Sequence, residues 1–183
     1  VDESRTHNNS VSGFYSVEQL KEECLSRRQE NAQNAKRQPK SIRSDAAIAI
    51  TGIITFGDDV QHIIEEMEPE QQDALYNETA ERIAKELNTD VSGVAVHRDE
   101  ASPHAHFQLI GYDKTGQPLS KKLTKPVCER LQDIAAEVYQ EYGIERGYKI
   151  GDRLDAGEKV EKNKSVSELH KEIKRDLRHS KEK

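Results

Sequence analysis

Cysteine is scarce in this chain of 183 residues, and Cys24 and Cys128 lie far apart with no Cys-x-x-Cys spacing. That argues against a disulfide scaffold and leaves two free thiols, the expectation for a cytoplasmic protein. Long apolar runs are also missing. None approaches the roughly 18 residues a membrane span requires, and no charged-then-apolar leader pattern opens the sequence. Hydrophobic residues make up 33% and charged residues 34%, so much of the chain is solvated surface. Apolar periodicity interrupts the charge too often for a disordered chain, and the length suits one domain with appendages that can bury a core.

Positive charge is in deficit as well, with a net charge of −6. This is only weak ground against a nucleic-acid partner, because phosphate affinity follows the local placement of Lys and Arg. From Arg27 to Arg43 six basic residues (Arg27, Arg28, Lys36, Arg37, Lys40, Arg43) stand against one acid, Glu30. Residues 58–73 hold seven acids and no Lys or Arg, and the tail from Gly157 to Lys183 is basic again. Taken singly, each run is a solvated face. Arg37 and Lys40 are the candidates for phosphate contact in the first run, and Lys121 and Lys122 are candidates further on, although an edge strand also carries lysines.

Ser16 to about Lys36 reads as a polar helix, capped by Ser16 with acids in its first turns. Ala46 to Phe56 is apolar and β-branched and reads as a buried strand. Helices are expected around Asp59–Met67 and Pro69–Leu87, the second with a stripe of Leu75, Thr79, Ile83 and Leu87. Val91–His97 and Ala105–Tyr112 read as two further strands, Asp113–Gly116 as a turn and Leu119–Leu123 as a short returning strand. A helix opens at Pro126 and ends at Gly143. A last helix starts at Ser165, which is spaced from Glu168 as in a capping box. Its thin seam of Val166, Leu169, Ile173 and Leu177 suits docking or oligomerisation. The implied fold is α/β (α+β): a mostly antiparallel central sheet of about five strands with helices mainly on one face. Residues 1–150 form the domain, and 151–183 a polar linker and C-terminal helix.

Chemistry concentrates between His97 and His106, where three histidines and two acids fall within ten residues. Residues two apart on a strand share a face, so His104 and His106 project together. A tight connection through Pro103 brings His97 alongside on the neighbouring strand. Three imidazoles converging on one face repel one another when protonated and waste hydrogen-bonding capacity without a metal. The grouping therefore points to a divalent ion, and a carboxylate from Asp99 or Glu100 would harden the site toward manganese or magnesium.

The pattern His-x-Asp-Glu-x-x-Pro-His-x-His over His97–His106 resembles the signature of the Mob/Pre (MobV-type) plasmid mobilisation relaxases, within the His-hydrophobic-His nucleases. Arg5–Thr6–His7–Asn8–Asn9 resembles that family's second motif, and Lys164–Glu168 is similar to its segment beyond the catalytic domain. The resemblance implies a relaxase-like fold and an enzyme that nicks single-stranded or hairpin plasmid DNA at a transfer origin. It implies a manganese or magnesium ion held by His97, His104 and His106 at the scissile phosphate, and covalent attachment of a side chain to the 5′ end. It gives Glu100 a catalytic place as fourth ligand or water-orienting base, and Asp99 a supporting place fixing an imidazole tautomer. Arg5 and Asn9 become DNA contacts.

The family's His-Asn-x-Arg motif, which carries its nucleophile, does not occur, and Ser10 stands where the second motif usually ends in tyrosine. With Val1 rather than Met first, the expectation is a chain lacking the N-terminal strand and its nucleophile. Three other readings share the histidines. A rolling-circle replication initiator or transposase would use a tyrosine such as Tyr15 or Tyr112. A binding module would keep metal and DNA without cutting, and an unrelated metallohydrolase would use water.

Overall fold

A computed structural model of the chain describes residues 3–32 and 36–157. Two compact units divide the chain, Val1–Arg146 and Gly147–Lys183. The first opens with a 3-10 turn over Glu3–Asn8 and a short strand, β1 (Ser10–Gly13). Helix α1 (Val17–Asn31) follows, its N-terminus closed by a capping box between Ser16 and Gln19. Strand β2 (Ala49–Ile54), helix α2 (Gln61–Glu65) and helix α3 (Pro69–Glu86) lead to strands β3 (Val91–His97) and β4 (His104–Ile110). Helix α4 (Lys125–Tyr139) runs into a 3-10 turn that stops at Gly143, whose φ of 77° suits glycine. In the second unit, the described residues include helix α5 (Ile150–Asp155). The helix expected from Ser165 lies outside the described residues.

The sheet is antiparallel throughout, in the order β1-β3-β4-β2. Its two faces have different fates. Val94 and Val96 of β3, Ala105, Phe107 and Leu109 of β4, and Ile54 of β2 enter the main core with α3 and α4. The α3 stripe is the expected one, with Leu75, Thr79, Ile83 and Leu87 all buried. Alternate residues, among them Ala95, His97, His104 and His106, point to the opposite face. Helix α1 covers that face only at its far end, where Leu20 and Cys24 pack on Ile110 and Tyr112. The histidine end of the face is left open.

Among the described residues the sheet has four strands rather than about five, and the strand expected to be buried, β2, lies at its edge with Ile54 its one buried residue. Two local outcomes also differ from expectation. Leu119–Lys121 is a 3-10 turn rather than the start of a strand. Buried Leu119 makes one bond from its own amide to the Gly111 carbonyl, and the Lys122 amide then closes back on Leu119 at 2.8 Å. Strand β1 carries no signal in the sequence, because Ser10–Gly13 lacks an apolar alternation. It is fastened to α3 instead by Ser10 donating to Asp73 at 2.7 Å and by a 3.4 Å bond between Ser12 and Asn77.

Candidate metal centre

Cross-strand register builds the centre. His97 pairs with His104, and His106 sits one pleat further along β4 opposite Ala95. The three ring centroids form a triangle with every side 5.1 Å. One nitrogen from each ring lies within 4.8 Å of the others, close enough for all three to bind one ion. His104 is buried, His97 half-buried and His106 exposed, so access runs from the solvent side of His106.

The orientation of His104 is settled by the backbone. Its Nδ1 stands 2.9 Å from the Ser102 carbonyl oxygen, which can only accept. The proton therefore resides on Nδ1, and the Nε2 lone pair is free for a metal. Burial, followed by the repulsion that protonated neighbouring rings at His104 and His97 would exert, lowers the pKa of His106. That favours the neutral ring a metal requires.

The loop between the two histidine strands is anchored by Arg98, which is 9% exposed. Its guanidinium donates to Gln72 at 2.8 Å, to the Asn8 carbonyl at 2.8 Å and to the Pro69 carbonyl at 2.9 Å, and it pairs with Asp73. Its amide donates to the Asn9 side chain at 2.7 Å. Asp99 accepts from Thr6 at 2.9 Å. Hydrogen bonds from Asn9 and then Thr6 hold its carboxyl below the usual carboxylate range, against the opposing effect of burial. Glu100 stands beside the triad with Oε1 3.8 Å from His97 Nδ1, and Arg5 donates to the Glu100 backbone carbonyl at 3.2 Å.

The residues singled out in the sequence thus fall into two places. His97, His104, His106, Asp99, Glu100, Arg5 and Asn9 come together at the open end of the sheet. There Asn9 bonds both Asp99 and the loop backbone, while Glu100 is the acid beside the rings. Arg37, Lys40 and Lys121 line a separate open cleft of about 970 Å³, together with Arg28 and Arg43. Lys122 instead pairs with the buried carboxylate of Asp113. Arg27 also leaves the basic run: it is buried and bonds Glu23, Thr89, Asp90 and the Tyr112 carbonyl. The sequence reading missed Arg98, Thr6, Gln72 and Asp73. Their partners stand 25 to 93 residues apart, and no local spacing signals them.

Among the described residues, no helix is long and apolar enough to cross a membrane. The fold is that of solved MobM relaxase domains (MOBV; Mob_Pre), which were crystallised with manganese and pMV158 oriT DNA. One matches with a TM-score of 0.62 at 22% identity, over 94% of this chain and 83% of that one. Another matches with a TM-score of 0.64 at 20% identity, over 93% and 83%. The plasmid recombination enzyme type 3 of Staphylococcus aureus is 26% identical over 136 residues, which are 72% of this chain and 32% of that protein. The present chain therefore spans about a third of the length of that relative. The family described as plasmid recombination enzyme (Mob_Pre) matches residues 1–169. Matched over nearly its whole length, the chain belongs to the Mob_Pre family of plasmid recombination enzymes.

Proposed function

We propose that this chain is the metal- and DNA-binding core of a plasmid mobilisation relaxase, acting in the cytoplasm on single-stranded or hairpin DNA at a transfer origin. The observation that carries this reading is the triangle of imidazoles on an exposed sheet end. Three neutral nitrogen donors with an open solvent side fit a divalent ion such as manganese, the ion bound in the similar MobM domains. When bound, such an ion supplies positive charge beside a scissile phosphate. The protein's part is to hold that geometry. Ser102 fixes the His104 ring, and Arg98 ties the intervening loop to α3 and to residues 8–10. Glu100 is placed to act as an additional ligand or base at the edge of the triad, and Asp99 supports the loop through Thr6 and Asn9.

DNA leaving the metal centre is held through its phosphates. Arg5 and Asn9 serve beside the triad, and Arg37, Lys40 and Lys121 serve in the basic cleft, with Lys122 next to it. The reaction is a transesterification that leaves the 5′ phosphate on the protein and frees a 3′ hydroxyl. In this reading residues 1–183 do not supply its nucleophile, because the family's His-Asn-x-Arg motif does not occur among them. Tyr112 is 7% exposed, whereas Tyr15 is 41% exposed. A tyrosine-type initiator would therefore use Tyr15.

Incubation with labelled single-stranded origin DNA and manganese tests the proposal. Manganese-stimulated binding without a covalent adduct is expected of this chain alone. An adduct mapped to Tyr15 would transfer the protein to the initiator class, and absence of any DNA binding would defeat the relaxase reading.

A further inference from the structure

Phe14 holds a conformation that bulky side chains avoid. Its φ is 71°, directly after Gly13 at 77°, so the chain leaves β1 through two consecutive left-handed residues. The amides of Phe14 and Tyr15 both donate to the Ser92 carbonyl, at 2.6 and 3.1 Å, which pins the turn across β3. Glycine or asparagine would take this backbone at lower cost.

The ring occupies space that β3 has vacated for it. A Cβ placed on Gly93 would lie 2.6 Å from Phe14 Cγ and 2.5 Å from its amide nitrogen. Gly93 pairs with Gln108, two residues along β4 from His106, so its missing side chain belongs to the histidine face. One such step along a strand is roughly 6.8 Å. The ring of Phe14 therefore rests on the sheet one cross-strand row from His106. It is not sealed into a core, for Phe14 is 39% exposed. The His106 row is flanked by Val11 and Ile53, 69% and 54% exposed.

From these observations we propose that Phe14 is a stacking platform for an unpaired base of the DNA strand whose phosphate meets the three histidines. The inference rests on the relaxase reading and deepens it. An aromatic ring fixed by its backbone, half open to solvent and one row from a phosphate-binding ion site suits a nucleobase. Every base presents a π-face whatever the sequence. A second copy of the chain is the less fitting occupant, since Ala95 and the polar His106 separate Val11 from Ile53 along their row.

The test compares wild type with Phe14→Gly, which keeps the left-handed backbone and loses the ring, and with Phe14→Leu, which keeps apolar bulk without it. The probes are oligothymidylate and a strand of the same length made only of abasic sites, measured by fluorescence anisotropy with manganese present. Both variants should bind oligothymidylate roughly 5- to 150-fold more weakly, the loss that corresponds to stacking of one base. Both should match wild type on the abasic strand and in calorimetric manganese affinity, and Phe14→Gly should melt no lower than wild type. Unchanged affinity for oligothymidylate, or equal losses on both strands, would overturn the platform while leaving the relaxase reading intact. Wild-type protein that binds neither strand would overturn both.

Discussion

Single side chains in this protein are prepared by their hydrogen-bond and ion-pair partners, and Asp113 shows this away from the three histidines. Its carboxylate is fully buried, accepts from the amides of Thr115 and Gln117 at 2.8 and 2.9 Å, and pairs with Lys122. Burial alone would raise its pKa, but Lys122 and these hydrogen bonds outweigh burial and hold it below the ordinary carboxylate range. A depressed folded-state pKa stabilises the protein above the unfolded value, near 3.9, and that stabilisation is lost as pH falls through the folded value. Asp113→Asn should therefore cost about 1.5–3 kcal/mol at neutral pH, the worth of hydrogen bonds to a charged group. Melting curves of the two proteins should converge below about pH 4, and a gap of constant size down to pH 3 would contradict this account. The three histidines are legible in the sequence because strand period two and a short loop suffice to bring them together. Thr6, Asp73 and Gln72 are not, because their roles exist only once β1, α3 and the loop meet at Arg98.

At the scale of elements, apolar pattern suffices for β3, β4, α3 and α4, whose buried faces follow the expected periods, but it overstates the burial of β2, an edge strand with Ile54 its one buried residue. It fails for β1, which contributes polar bonds rather than apolar burial, and for Leu119–Lys121, where backbone closure onto Gly111 outweighs strand propensity. A different constraint joins β2 to β4. The Phe107 ring fills the place of a side chain at Gly52, where a Cβ would come within 2.2 Å of the ring. Gly52→Ala must displace a core aromatic and should destabilise the protein by about 1–3 kcal/mol, the usual range for overpacking. Chemical denaturation provides the measurement, and an unaltered midpoint would mean that the ring moves aside freely.

The molecule as a whole distributes its functions over one sheet. Helices α3 and α4 bury one face, α1 covers the far end of the other, and the remaining open end carries the imidazoles. The overall acidity coexists with a basic cleft because Arg28, Arg37, Lys40, Arg43 and Lys121 gather from three segments, with Asp45 the acid beside Arg43. If the cleft holds phosphates, Arg37→Glu with Lys40→Glu should weaken DNA binding and flatten its salt dependence, by a slope of roughly 0.7 for each single-strand phosphate that the protein no longer neutralises. Equal affinity and slope in the double variant would remove the cleft from the DNA path.

If His97, His104 and His106 jointly hold one ion, calorimetric titration of manganese into the wild type and the three single alanine variants will show it. One site is expected in the wild type and a loss of roughly 10–100-fold or more in each variant, since even supporting residues around a metal cost that much when removed. Circular dichroism should show the fold retained in all four, because the apolar face of the sheet is independent of the imidazoles. Stoichiometric binding at undiminished affinity in His104→Ala would place the ion elsewhere, away from the three histidines.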